Sequence, residues 1–509
     1  GDADVMEERN FAVINHETPR LESIDKATGS GKYTDDLSVP NMAYAVLVRS
    51  PYSHAKVLSI NMSEAERVPG YLGCALPKDS PQVYFNCSGN PPSPLLMADE
   101  RVLTDEPLVL GDRVAVVAAE TETAARAAAE AVKVEYEVIA PVLDVKAALA
   151  PNTPALQPHI ALDNIIQRRD VAQGNIAAGE VASDNIMGDR FVTPAMQHTT
   201  IELTCCVADF SDGEHITIYS CSQTVFQERR ILAEIFGLKE SNVRIIKPLV
   251  GAGFGARQQL HAQHVAALIS RRIGRPVKLL YTREEDFYSV MRHASDVDLR
   301  IGVDKSGKLQ LFDTTFRLNA GPYTTHTPTV VAAAARKLQY NVPNYSFVGL
   351  SVFTNHITGG AFRGYGNTQL TFGREILMDR LAQKLGMDPV EFRLMNHVQV
   401  GQCFPCASIP VSSNGIEDCA RRCQQLQREI DRREPLIDDD EIRQAWGISF
   451  SCHGSGPSSK EGLSSAVIMV NDDATVQLLV GSSDIGQGSE TMESQIAAES
   501  LGISLEDVH

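Results

Sequence analysis

At 509 residues the chain exceeds the usual size of a single hydrophobic core, so two or more domains are expected. Its 43% hydrophobic and 22% charged content, with 36 Gly and 25 Pro spread along the chain, excludes disordered and fibrous classes. A formal net charge of -18 argues against a nucleic-acid partner, and no run approaches the roughly 18 apolar residues of a membrane span.

The opening GDADVMEERNFAV lacks the basic and apolar blocks of a signal peptide, which makes the cytoplasm the expected location. The start at Gly1 without Met suggests a processed or partial chain. From about Pro19 to Val142, β-rich runs such as 42–48 (MAYAVLV) and 114–119 (VAVVAA) alternate with an Ala-rich helix over 121–132 and a strand, VKVEYEVI. The proline-bearing APVLDVKAALAPNTPALQPH reads as a linker.

Beyond it, HITIYS (215–220) reads as a strand and TVFQERRILAEIFGL as a helix apolar on one face. Then come the strand NVRIIKPLV, a glycine-rich turn at 251–257 (GAGFGAR), the helix QQLHAQHVAALISRRI and the strand PVKLLY. A polar helical stretch, DCARRCQQLQREIDRREPLIDDDEIRQAW, leads into a β-rich segment expected to begin at GISFSC. Strands and helices are interspersed, so the fold class is α+β.

The chain holds 10 cysteines, including the adjacent Cys205 and Cys206, and they form no small disulfide framework, so free thiols in a reducing compartment are expected. Cys403, Cys406, Cys419 and Cys423 have the outline of a four-thiolate zinc site. Against that, Cys419 and Cys423 stand at i and i+4 of a helix, where thiols pack as small apolar groups.

Three glycine-rich segments could carry chemistry. The turn Gly251, Gly253, Gly255 lies between a strand and a helix, as in a nicotinamide-dependent dehydrogenase, with Glu284 and Glu285 placed as ribose acids. Its spacing is G-x-G-x-G with Phe254 inside, not G-x-G-x-x-G, which argues against a dinucleotide. In 359–369 (GGAFRGYGNTQ), glycines on both sides of Arg363 permit close approach to an anion. In 481–491 (GSSDIGQGSET), Gln487 between Gly486 and Gly488 offers neutral hydrogen bonds to a polar ligand. Singly, each serves equally well as a structural loop.

Together, Ser222-Gln223, GAGFGAR, GGAFRGYG and DIGQGSET resemble, in order and approximate spacing, the molybdopterin-contacting segments of the molybdenum hydroxylases, the xanthine dehydrogenase and aldehyde oxidase family. DKATGSGKYTDDL (25–37) and RSPYSHAKVLSI (49–60) look like that family's hammerhead domain, and QHTTIEL (197–203) and MDPVEFRLMN (387–396) fit it too. The resemblance implies a hammerhead α/β domain over 1–145, a linker over 146–164, a first molybdopterin-binding α+β domain over 165–405 and an incomplete second one over 406–509.

It also implies site residues. Gln223 would hydrogen-bond the apical oxygen of the molybdenum centre, and the backbone at Gly253, Phe254 and Gly255 would lie against its ligands. Arg363 would stabilise the ligand set, while Gly486, Gln487 and Gly488 would hold the pterin or its phosphate, with no direct protein ligand to the metal. Such neutral donors orient a bulky anion without competing for the metal. Substrate contacts would come from Gln258, Tyr365, Phe450 and Ser451, with His453 beside them.

The family hydroxylates aldehydes or electron-poor aromatic heterocycles with water as oxygen source, assisted by a glutamate base in a far C-terminal motif. That motif is expected to lie beyond residue 509, and Glu493 and Glu499 sit in a helical stretch used for packing. Gln258, and an apolar stretch around Val330, stand where xanthine-oxidising relatives carry a glutamate and an arginine, which counts against xanthine itself. IKPLVGAGFGAR and DIGQGSETMESQIAAESLG also look like 4-hydroxybenzoyl-CoA reductase, an aromatic reductase of the same family.

The implied cofactor is molybdenum-molybdopterin, in the cytosine dinucleotide form or without it, with [2Fe–2S] and FAD on an iron–sulfur subunit and an FAD subunit. Neither a ferredoxin-like cysteine set nor a flavin domain is visible in this chain. The C-terminal remainder of the molybdenum subunit is a further expected partner.

Overall fold

The computed structural model describes residues 11–89, 96–336, 338–454 and 464–509. Residues 1–10, read above for leader features, lie outside the described residues, as do 455 and 456 of the ISFSCHGSG run. Two large sheets organise the chain, in keeping with an α+β class.

The first has seven strands, in the order Val243–Ile246, Ile216–Ser220, Cys205–Asp209, Val277–Leu280, Ala43–Arg49, Arg113–Ala119, Tyr71–Ala75. It is mixed, and the parallel pairing of Ala43 with Val277 joins the N-terminal strands to those that follow the linker. One core therefore runs across both regions, from Ala43 and Val116 to Ile218, Ile269 and Leu279, all buried. The strands read as near-continuous apolar runs because both faces are covered; helix Gln263–Ile273, buried from Gln263 to Ser270, packs on the strands at 71–75, 113–119, 205–209 and 277–280.

The second sheet has five strands, in the order Ile165–Gln173, Asn344–Phe353, Leu309–Gly321, Ser295–Val303, Asn185–Thr193. Helices Thr327–Ala335 and Asn367–Leu385 pack on it around Phe312, Phe316, Phe347 and Leu377. A short parallel pair, Met291–Arg292 with Gly359–Gly360, carries the chain between the two cores. No helix among the described residues is long and apolar enough to cross a membrane.

Most helix ends follow local rules. Thr121 caps Glu122–Ala131 by accepting from the Ala124 amide, and left-handed Gly237, Gly274 and Gly386 end three other helices. GISFSC departs from expectation: 447–452 forms no strand. The Phe450 amide donates to Glu375 (3.0 Å) and its carbonyl accepts from Arg374 (2.8 Å), so side chains satisfy this backbone instead of a ladder. The β-structure of this region is the hairpin Ala466–Val470 and Val476–Val480.

Cys419 and Cys423 do not pack either. They are exposed on helix Ile416–Arg433, which buries only Ala420, and Cys406 is exposed as well. Among the described residues no group of three or more His, Cys, Asp or Glu is placed to hold a metal ion.

Glu375 is the polar centre of the second core. Its carboxylate accepts from Arg374 and Arg393 (2.8 Å each) and from the Tyr340 hydroxyl (3.0 Å), all buried. Removing one partner of such a set strands buried charge. Glu375→Ala is therefore expected to destabilise the protein by about 3–5 kcal/mol, read as a lowered denaturation midpoint; an unchanged midpoint would show that the two arginines find other partners.

Candidate functional site

The strand Val243–Ile246 runs along the edge of the first sheet and delivers the glycine turn 251–257; the pair at 359–360 delivers the second turn from the direction of the second sheet. They meet at their backbones. The Arg363 amide donates to the Phe254 carbonyl (2.8 Å), and Gly255, at φ 109°, lies so close that an added Cβ would sit 2.5 Å from the Ala361 carbonyl oxygen.

Only glycine fits there, on both counts. Phe254 and Tyr365 also adopt positive φ, 52° and 50°, which L side chains rarely do. The third turn, 485–487, closes the far side, and the three together line a cavity of about 1040 Å³.

Gln223 lies at the base of this cavity, just before helix Val225–Phe236. Its Oε1 accepts from the Gly255 amide (3.0 Å) and the Arg257 amide (3.2 Å), while its backbone N–H donates to the Arg257 carbonyl (2.9 Å). With the carbonyl end so engaged, the side-chain NH2 is left as a donor to the cavity. The glycine spacing follows as well: a Cβ on Gly253 would lie 2.5 Å from Gln223 Oε1.

Among the residues read from the sequence, the structure brings Gln223, Gly253, Phe254, Gly255, Gln258, Arg363, Tyr365, His453, Gly486 and Gln487 to one cavity. Gln487 spends both ends of its amide on its own turn, accepting from the Ile485 amide (2.7 Å) and donating to the Ser483 carbonyl (3.0 Å). Gly488 stands at the start of helix Ser489–Leu501, off the lining.

Phe450 is not at the cavity: it is buried in the second core, stacked on Tyr340 at 6.5 Å, because its backbone is pinned by Glu375 and Arg374. Ser451 is exposed and likewise does not line it. Sequence reasoning missed Ala361 and Phe362 as lining, and missed what lies behind them: buried His198, whose Nε2 meets the Ala361 carbonyl at 2.7 Å, and buried His326, whose ring meets Tyr365 edge-on at 6.1 Å. A lone histidine on an apolar face carries no sequence signal of that kind.

Glu493 and Glu499 belong to helix Ser489–Leu501, as expected. Glu499 accepts the Val13 amide (2.6 Å) and Glu493 the Ser482 hydroxyl (2.6 Å).

Nor does the 251–257 turn have dinucleotide geometry. A short 3-10 turn, Ala256–Gln258, follows it, and the next helix begins only at Gln263, with the Gln263 side chain capping the amides of His261 (2.7 Å) and Ala262 (3.0 Å). The turn therefore does not run straight into the helix that follows it, as the pyrophosphate turn of a nicotinamide fold does.

Comparison with known proteins places the chain in a family. The chain matches the aldehyde oxidase and xanthine dehydrogenase a/b hammerhead domain over residues 28–140 and molybdopterin cofactor-binding domains over 159–397 and 420–509. The chain belongs to the molybdenum hydroxylase family.

Among its relatives is the putative xanthine dehydrogenase molybdenum-binding subunit of Escherichia coli strain K12, 32% identical over 96% of this chain and 66% of that protein. The nicotinate dehydrogenase large molybdopterin subunit of Eubacterium barkeri is 29% identical over 83% of this chain and 98% of that protein. The solved aldehyde oxidoreductase from Desulfovibrio gigas superposes with a TM-score of 0.90 at 27% identity, covering 96% of this chain and 55% of that one. The chain thus spans under two thirds of the xanthine dehydrogenase relative and about half of the solved enzyme.

Burial sets the charge state of the histidines around the turns. Burial pushes the imidazoles behind them down, His198 and His326 to about 4 and His261 and His293 to about 3, so all are neutral at pH 7. Their folded pKa values lie below the ordinary 6.5, so the unfolded chain binds more protons in between. Stability is therefore complete above pH 6.5 and falls as pH drops from 6.5 toward 3–4. A denaturation midpoint flat from pH 7 to pH 4 would contradict this.

Gly255→Ala places a methyl group against the Ala361 carbonyl and strains φ, and is expected to cost at least about 1–2 kcal/mol. Equal midpoints for wild type and G255A would mean that the two turns part without cost.

Proposed function

We propose that the chain is the molybdopterin-binding part of a molybdenum hydroxylase that oxidises an aromatic heterocycle or an aldehyde, with water as oxygen source. One observation carries the reading: in a protein of net charge -18, no Asp or Glu is among the described residues that line the cavity, whereas Arg363 and the Gln223 amide are. Such a lining suits an anionic cofactor held by neutral donors and one cation.

The residues present fit molybdopterin. Gln223 holds the centre through its free NH2, the Phe254–Gly255 backbone provides a close, side-chain-free approach, and Arg363 with neighbouring amides balances charge. Gln487, bound to its own turn, fixes the shape of 485–487 so that the backbone there meets the pterin. When bound, the molybdenum centre supplies the two-electron redox chemistry.

Toward the substrate, Tyr365 offers an aromatic face, its hydroxyl pushed up to about 12 by burial and so protonated. Gln258 and His453 add polar contacts at the same cavity. Such walls select a flat, uncharged substrate. The electron acceptors are placed on separate iron–sulfur and flavin subunits, consistent with relatives named as molybdenum-binding or molybdopterin subunits.

A further partner is the C-terminal remainder of the molybdenum subunit; the chain leaves about a third of the Escherichia coli relative unmatched. The strand Ala466–Val470 exposes all five residues, with Val467 at 50% and Val470 at 70%, and a lone two-stranded ribbon is marginal in water. Packing by that remainder would cover this apolar strand and bring the family's glutamate base.

Two experiments test the reading. The purified complex should contain molybdenum and a pterin, and Gln223→Ala should lower molybdenum retention by roughly tenfold or more; unchanged content in the variant removes Gln223 from the site. Residues 1–509 supplied with the C-terminal remainder and an iron–sulfur chain should turn over steadily, whereas the 509 residues alone should lack the roughly 10²–10⁴ of rate that a general base provides. Sustained dye-linked oxidation by the 509 residues alone would place the base within this sequence.

A further inference from the structure

We propose that segment 197–204 is a clamp that sets the spacing of the two glycine turns, with His198 and Glu202 as its grips and His198 as a positioning residue for the Ala361–Arg363 backbone. The proposal rests on the cavity being the cofactor site, but its geometry does not.

The grip on the second turn is His198. The ring is buried, packs tilted by 36° against Phe362 with centroids 4.5 Å apart, and its Nε2 lies 2.7 Å from the Ala361 carbonyl oxygen. Because a carbonyl only accepts, Nε2 carries the proton, and the neutral ring is the Nε2–H tautomer. The same carbonyl is the atom against which Gly255 rests.

The grip on the first turn is Glu202. Its Oε2 accepts the Gly251 amide (2.6 Å), and its own amide donates to the Gly251 carbonyl (3.3 Å), so the turn is held at its first residue by both groups. Arg257, at the last residue of the turn, is buried and donates to the Thr200 hydroxyl (3.1 Å), the Glu202 carbonyl (2.8 Å) and the Thr204 hydroxyl. The turn is thus tied to one short segment at both ends.

The clamp is anchored in turn. The Thr204 hydroxyl donates to buried Asp286 (2.6 Å), Arg283 donates to the carbonyls of Thr200 (2.6 Å) and Ile201 (2.9 Å), and the Gln197 side chain donates to the Val290 carbonyl (3.2 Å). All of these anchors belong to helix Arg283–Ser289 or the residue after it, and none of them lines the cavity. One anchored segment thus grips both turns, His198 next to the Arg363–Phe254 hydrogen bond and Glu202 at the start of the first turn.

The test separates donor from ring. His198→Phe keeps the ring packing on Phe362 and removes the donor; His198→Gln restores a donor without the ring. In the full chain, His198→Phe should speed amide hydrogen exchange of Arg363 by roughly tenfold, and His198→Gln should return it to near the wild-type rate. In the assembled enzyme, molybdenum and pterin content should follow the same order.

Glu202→Gln, the second variant, should raise exchange at Gly251 while leaving Arg363 less affected, and it keeps the test open should H198F fail to fold. Wild-type exchange at Arg363 in H198F, or equal loosening in H198F and H198Q, overturns the clamp. A wild-type complex without molybdenum overturns the proposed function instead, while the exchange result on the clamp stands or falls by itself.

Discussion

Contact between two backbones, Gly255 against the Ala361 carbonyl with the Arg363 amide on the Phe254 carbonyl, is the constraint on which the rest of the site depends. Neither turn belongs to the other's sheet: one follows the edge strand Val243–Ile246, the other follows the pair at 359–360. A side chain at the contact would part them, and the cavity would open along its floor.

Charge distribution reinforces the geometry. A strongly acidic protein repels anions on average, yet the lining carries no carboxylate among the described residues, and the imidazoles behind it are neutral because they are buried. Arg363 then acts without a local competitor. Glu228, buried on helix Val225–Phe236, accepts from Gln263 at 3.2 Å and is pushed up to about 8 by burial.

Much of this was legible in the sequence where local rules decide. The helices read at 121–132, 224–238 and 258–273 carried their periodicity, although the last begins only at Gln263, and the glycine turns announced themselves by composition and order. What was not legible depends on long-range partners. GISFSC has a strand's composition, but Glu375 and Arg374, some 75 residues earlier, claim the Phe450 backbone, which also removes Phe450 from the site. Cys419 and Cys423 have the spacing of a packed pair, but the helix that bears them presents that side to solvent. His198 and Glu202 stood in a recognised segment, but their partners, Ala361 and Gly251, lie 163 and 49 residues away.

The most direct test of the central claim, that the three turns enclose the cofactor, is anomalous diffraction at the molybdenum edge from crystals of the assembled enzyme. The account predicts one anomalous peak within the cavity, between Gln223, the Phe254–Gly255 backbone and Arg363, with pterin density running toward 485–487. A molybdenum peak elsewhere in the chain, or pterin density that does not reach the 485–487 turn, would contradict it.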